Sequence, residues 1–112
     1  MRFTIVREEF LKALNSASKA IDSKAKEMPI ITNFKLELNE NGLFVLSTNI
    51  NITIKILVPF KKNDKELIRN YKEGQILVNA ELLTNIIRKL ESDEIVFEVI
   101  ESSLAVISIN NT

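Results

Sequence analysis

The residues of this sequence whose type and spacing could do chemistry are basic side chains on two predicted helices. The stretch AELLTNIIRKL, residues 80–90, has an apolar stripe and ends in Arg88 and Lys89. A cationic helix end of this kind can complement the negative end of the helix dipole. It can equally bind an external anion such as a phosphate. This stretch alone leaves both interpretations open.

A second predicted helix, from Glu8 to Ile21, also carries basic side chains on its outward face. Its apolar residues recur at helical spacing, at Phe10, Leu11, Leu14, Ala17 and Ile21. The predicted outward residues of the two helices are Lys12, Asn15, Ser16 and Lys19 on the first and Thr84, Asn85, Arg88 and Lys89 on the second. If the helices lie side by side, they form a local basic surface that could contact a phosphate backbone without reading base sequence. The alternative is an ordinary solvated helix surface.

The composition disfavours most enzymatic and metal-binding functions. Among 112 residues, fifteen Lys+Arg balance fifteen Asp+Glu, and Cys, His and Trp are all absent. Disulfides, thiolate chemistry and the usual general base are therefore excluded. The acid pairs Glu8-Glu9 and Asp93-Glu94 are sequence neighbours whose side chains point apart. We therefore predict a protein that is not an enzyme and needs no cofactor or metal, with a carboxylate enzyme as the weakest alternative.

The start of the chain predicts a protein of the cytoplasm. MRFTIVREEF lacks the apolar core of a signal peptide. No apolar run in the sequence is long enough to span a bilayer. We therefore predict cytoplasmic localisation and no membrane partner.

Periodicity predicts nine regular elements and one connector. Asn79 is the predicted N-cap of the second helix, and Glu40 to Gly42 form a hairpin turn. The connector, 60–74, is polar, with room for one helical turn near Glu66 to Asn70. The predicted elements are strand 2–6, helix 8–21, strands 33–38, 43–47 and 50–58, strand 75–78, helix 80–90, and strands 94–100 and 104–109.

The order of these elements is an internal repeat. A βαβββ unit spans 1–59, the connector spans 60–74, and a βαββ unit spans 75–112. By the logic of the repeat, a final strand is missing after Thr112, so we expect a single truncated domain with an open sheet edge. The predicted fold class is α+β, with two helices packed on antiparallel sheets.

Four stretches of the chain together resemble a known family. They are RFTIVREEFLKALNSASKAI, MPIITNFKLEL, NGLFVLSTNINITI and ILVNAELLTNIIRKL. Their order and spacing resemble the N-terminal domain of the bacterial DNA polymerase III beta subunits, the sliding clamps. The resemblance implies a DNA-clamp fold in a ring of two head-to-tail subunits, each with three similar domains. It also implies that the ring encircles duplex DNA independently of sequence, tethers DNA polymerase III, is opened by a clamp loader and hydrolyses nothing itself.

The resemblance also implies which residues face DNA. Arg88 falls where the family commonly has an Arg on its second inner helix, and Lys24 falls in a loop that is often basic near DNA. The full implied set is Lys12, Lys19, Lys24, Lys26, Arg88 and Lys89. The chain departs from the family where Asn49 and Asn51 replace the usual acids, and where SSLAVISINNT lacks the basic residues common at the subunit boundary.

A second hypothesis needs no further domains. In it, the chain is a stand-alone β-rich adaptor that pairs with another protein through an exposed edge strand. The two hypotheses differ in whether additional repeat domains accompany this one.

Overall fold

The structure, a computed structural model, describes residues 1–20, 33–48, 52–101 and 104–109. The first half of the chain contains β1 (Arg2–Val6), α1 (Arg7–Ala17) with a 3₁₀ turn after it (Ser18–Ala20), β2 (Asn33–Asn39), β3 (Gly42–Thr48) and β4 (Thr53–Val58). The second half contains β5 (Lys61–Lys62), β6 (Lys65–Glu66), β7 (Ile68–Lys72), β8 (Gly74–Asn79), α2 (Ala80–Lys89), β9 (Glu94–Glu101) and β10 (Leu104–Ile109).

Eight of the strands form two antiparallel sheets. The first sheet has the order β10-β9-β1-β7 and the second has the order β4-β3-β2-β8. Each sheet therefore takes one strand from the other half of the chain, since β1 pairs with β7 and β9 of the second half and β8 pairs with β2 of the first. The helices pack on each other and on both sheets. The predicted α+β class, with two helices packed on antiparallel sheets, is confirmed.

Alternation along the strands sets which face is buried. Phe34, Leu36 and Leu38 of β2 point into the core, whereas Lys35 and Glu37 lie on the outer face. A strand turns successive side chains to opposite faces, so this pattern fixes its register. The predicted hairpin between β2 and β3 is also present, with Asn39 paired to Gly42.

A cluster of aromatic rings joins the first sheet to α1. The ring of Phe3 stacks on Phe97 of the neighbouring strand at 5.1 Å between centroids, and meets Phe10 of α1 edge-on at 5.9 Å. All three side chains are fully buried. Such pairs stabilise a core beyond the area they bury. The first helix is thereby fixed to the sheet from its second turn.

Within residues 60–74, the helical turn predicted near Glu66 to Asn70 was wrong. The stretch contains the β5–β6 hairpin and the strand β7, which pairs with β1. Ile68 of β7 and Leu67 just before it are buried, so this edge strand packs against the core at its start. Asn63 and Asp64 have φ angles of 51° and 66°, which suits a tight hairpin turn between short strands. The boundaries of the two proposed repeats stay a prediction.

None of the described helices is long and apolar enough to cross a membrane.

We predict that Phe3→Ala lowers the free energy of unfolding by about 3–5 kcal/mol, because it empties a fully buried ring site. Urea denaturation followed by circular dichroism measures the loss. The matched control is Phe44→Ala, since the Phe44 ring is only half-buried, with the Lys55 ammonium 4.3 Å from its centroid. Equal losses for the two variants would contradict the central role of Phe3.

Candidate functional site

The first helix presents one continuous exposed stripe. Glu8, Lys12, Asn15 and Lys19 are all exposed and follow one another at spacings of four, three and four residues. Residues three or four apart lie on the same helix face. The outward placement predicted for Lys12 and Lys19 is confirmed, although Lys19 lies in the 3₁₀ turn rather than in α1 itself.

The second helix begins at the predicted cap and ends in two exposed cations. The Asn79 side-chain oxygen accepts a hydrogen bond from the Leu82 backbone N–H at 2.8 Å. This satisfies one of the N–H groups that a helix start leaves without a partner. Arg88 and Lys89 in the last turn are both exposed, as predicted.

The rotation of α2 differs from the prediction at Thr84. The buried face consists of Ala80, Leu83, Thr84 and Ile87. Thr84 was expected to face outward, but its hydroxyl donates to the Ala80 carbonyl oxygen at 2.7 Å and so can be buried. Leu82 is one of the apolar residues of this helix, but it is 61% exposed because it lies beside the buried face rather than on it.

Arg88 joins the two helix surfaces. Its guanidinium donates to the Asn85 side-chain oxygen at 3.0 Å, within α2, and to the Asn15 side-chain oxygen at 3.4 Å, on α1. Asn15 lies between Lys12 and Lys19 on the exposed stripe. The structure therefore places Arg88 beside the exposed stripe of α1. The outward faces predicted for the two helices together form one surface.

One C-terminal carbonyl group of each helix accepts a hydrogen bond from a side chain of another element. Arg7 donates to the Ile87 carbonyl oxygen of α2 at 3.1 Å, and the Ser47 hydroxyl donates to the Ala17 carbonyl oxygen of α1. Terminal carbonyl groups need such partners because they have none within the helix. Arg88 makes its side-chain hydrogen bonds to neutral amides instead, so it is not the residue that caps α2.

The environment of Arg88 differs from that of Arg69 on the first sheet. Arg69 on β7 donates twice to the Glu94 carboxylate on β9, at 2.6 and 3.1 Å, across the intervening strand β1. The pKa of Arg69 lies above its ordinary value because Glu94 accepts its hydrogen bonds and attracts its charge. Because the pKa of Arg69 is higher in the fold, its ion pair stabilises the protein fully at pH values below the ordinary pKa. This stabilisation is lost only as the pH rises through the raised pKa. The Arg69 charge is thus neutralised within the fold, whereas the partners of Arg88 carry no charge.

Acidic residues from both predicted pairs line one cleft, although Glu9 is not among them. Glu8, Asp93 and Glu94 line a cleft of about 480 Å³ together with Glu66, and Arg7 and Lys65 line the same walls. Local spacing in the sequence does not show that these acids lie together, because they come from distant parts of the chain. Glu94 is already bound by Arg69, and the cleft is a mixed-charge surface. Within the described ranges, no group of three Asp or Glu residues could hold a metal ion.

Two predicted site residues, Lys24 and Lys26, lie outside the described residues. The sequence did not indicate the hydrogen-bonding roles of two further residues, Asn15 and Arg7. Asn15 was placed on the outward face, but nothing in its spacing showed that it holds Arg88. Arg7 begins α1, where a cation is unfavourable for the helix dipole. That misfit was the one available signal that its side chain acts on another element.

A family model described as DNA polymerase III beta subunit, N-terminal domain, matches residues 1–112. The beta sliding clamp of Halalkalibacterium halodurans is 29% identical over 107 residues, which is 96% of this chain and 28% of the relative. The beta sliding clamp of Bacillus subtilis is 26% identical over 107 residues, with the same two coverages.

Solved structures agree in fold. The DNA polymerase sliding clamp from Bacillus subtilis matches with a TM-score of 0.88 at 25% identity, over 100% of this chain and 29% of that chain. The beta subunit from DNA polymerase of Streptococcus pyogenes matches with a TM-score of 0.84 at 28% identity, over 100% of this chain and 28% of that one. This chain thus spans somewhat more than a quarter of the length of these relatives.

We predict that Asn79→Ala costs about 1 kcal/mol of folding free energy, because the first turn of α2 loses its cap. Asn79→Asp is the matched control, since its carboxylate can accept the same hydrogen bond from Leu82 and should retain the stability. Urea denaturation of the two variants makes the comparison. If Ala and Asp at this position gave the same stability, the cap would not be what fixes the start of this helix.

Proposed function

Because this chain belongs to the family of DNA polymerase III beta subunit N-terminal domains, we propose that it is part of a ring-shaped clamp that encircles duplex DNA. In this role it keeps the replicative polymerase on its template as a processivity factor. The ring requires further domains and a second subunit arranged head to tail, since this chain spans 28% of its curated relatives. DNA polymerase III and the clamp loader are its proposed protein partners, in the cytoplasm.

The observation that supports contact with DNA is the uncompensated charge of Arg88. Its guanidinium is exposed and held by two neutral amides, beside the stripe that carries Lys12 and Lys19. Cations without acidic partners can exchange counterions for phosphates, which drives sequence-independent binding. A clamp needs no base-reading contacts, because the ring itself holds the duplex.

The proposed DNA-facing set keeps the residues that the resemblance implies. Lys12, Lys19 and Lys89 are exposed and make no ion pair within the described ranges. Lys24 and Lys26 belong to the proposal on sequence grounds alone. Contacts of this kind are individually weak, so binding should depend on several of them and fall steeply with salt.

The proposal assigns this chain no catalytic step and no cofactor. A clamp acts by topology and electrostatics, and the mixed-charge cleft beside Arg7 has no part in it. The stand-alone adaptor is not favoured, because the curated relatives and solved structures that match are sliding clamps.

We predict that Arg88→Ala in the full-length protein weakens binding to a linear fluorescent duplex and lowers the salt slope by about 1, because one phosphate contact is lost. Fluorescence anisotropy across a salt titration measures both quantities. Lys35→Ala is the control, since Lys35 lies on the outer face of β2, away from the helices. A loss for Arg88→Ala no larger than for Lys35→Ala would contradict the role of Arg88.

A further inference from the structure

The β5–β6 hairpin and its turn carry three lysines against Asp64 and Glu66, which is a net charge of +1. Lys61 pairs with Glu66 across the hairpin, whereas Lys62 lies directly opposite Lys65. Like charges directly opposite each other destabilise a strand pair. All four side chains are exposed, and none makes an ion pair in the part of the chain that the structure describes. Lys65 lines the mixed-charge cleft with Glu8 and Asp93, whereas Lys62 is not part of that lining. Of the two lysines, Lys62 is therefore the candidate for a contact outside the fold.

The base of this hairpin is fixed to the first sheet. The Phe60 carbonyl oxygen accepts hydrogen bonds from the backbone N–H groups of Leu67 and Ile68, at 2.7 and 3.3 Å. The Leu67 carbonyl oxygen in turn accepts from the Val6 N–H at 2.9 Å, and the Leu67 side chain is buried. The hairpin therefore leaves the fold in a defined direction, which fixes where its lysines lie.

Lys62 borders the exposed face of α1. A cleft of about 160 Å³ separates α1 from the end of β4, and Lys62 lines it together with Glu9, Lys12 and Ser16. Two ammonium groups and a hydroxyl are donors suited to one phosphate group. Glu9 is half-buried in the first turn of α1, where an acid is favourable for the helix dipole. The cleft thus keeps a net positive charge.

We propose that Lys62 and Lys12 together contact the phosphate backbone of duplex DNA, so that the basic surface extends from the helices onto the hairpin. The inference rests on the proposed function, because it takes duplex DNA as the ligand. It adds a contact on a strand element beside the helix residues. It also explains why Lys62 is placed opposite Lys65 at a cost to hairpin stability.

The test compares Lys62→Gln with Lys72→Gln in the full-length protein, using anisotropy of a linear fluorescent duplex across a salt titration. Lys72 is an exposed lysine on β7 that does not line the cleft. We expect Lys62→Gln to lower the salt slope by about 0.9 and the affinity near 0.1 M salt by roughly fivefold to tenfold. Lys72→Gln should change neither quantity, and Lys12→Gln should match Lys62→Gln.

The urea midpoint of Lys62→Gln distinguishes a DNA contact from a structural role, because loss of a structural role would lower it. Removing the Lys62 charge relieves the repulsion with Lys65, so the urea midpoint of Lys62→Gln should stay unchanged or rise. A lower midpoint together with weaker DNA binding would show that Lys62 acts through the fold, and the inference would be wrong.

Arg88→Gln separates failure of this inference from failure of the proposed function. If Arg88→Gln weakens DNA binding while Lys62→Gln behaves like Lys72→Gln, the hairpin contact is wrong and the clamp function stands. If both Arg88→Gln and Lys62→Gln behave like Lys72→Gln, the DNA contacts proposed for both elements are wrong. Weaker binding of Lys62→Gln to the polymerase or the loader, with DNA binding unchanged, would assign Lys62 to a protein partner and overturn the inference.

Discussion

The contact of Phe3 with Phe97 and Phe10 is the interaction on which the rest of the structure depends. It joins a central strand of the first sheet to the neighbouring strand and to the helix that follows it. Because β1 pairs with both β7 and β9, the same residue lies at the middle of the sheet rather than at its edge. The aromatic cluster therefore helps to fix the position of the helix surface that carries Lys12 and Lys19.

Charged side chains have two different kinds of partner in this fold. On the first sheet, Arg69 and Glu94 neutralise each other across β1, which ties three strands together. On the helices, Arg88 is oriented by amide oxygens that leave its charge available. A protein with formal net charge 0 can therefore present a basic face, because charge is paired internally in one region and left unpaired in another.

Much of the fold could be predicted from the sequence, because its strands and helices follow simple periods. The alternation of Phe34, Leu36 and Leu38 and the cap at Asn79 were sufficient to place their elements. The strand within residues 60–74 could not be predicted in this way, because the edge strand β7 buries only Ile68 and so shows almost no alternation. The sequence feature that indicates the β5–β6 turn is the Asn63-Asp64 pair, since both residue types tolerate positive φ.

For the candidate site, the sequence predicted which cations are exposed but not what holds them. The exposure of Lys12, Lys19, Arg88 and Lys89 follows from helical spacing alone. The contact between Arg88 and Asn15 joins residues 73 positions apart, and no local pattern encodes it. Thr84 was misplaced because its hydroxyl finds a backbone partner within its own helix, so a polar residue can lie on a buried face.

The exchange of strands between the two halves of the chain has a consequence for how the protein folds. Arg2 of β1 pairs with Glu98 of β9, a separation of 96 residues. During synthesis the first strand must wait, without this neighbour, until almost all of the domain has left the ribosome. Since pairings between distant residues must overcome the entropy of closing a long loop, this domain should fold slowly and as a unit.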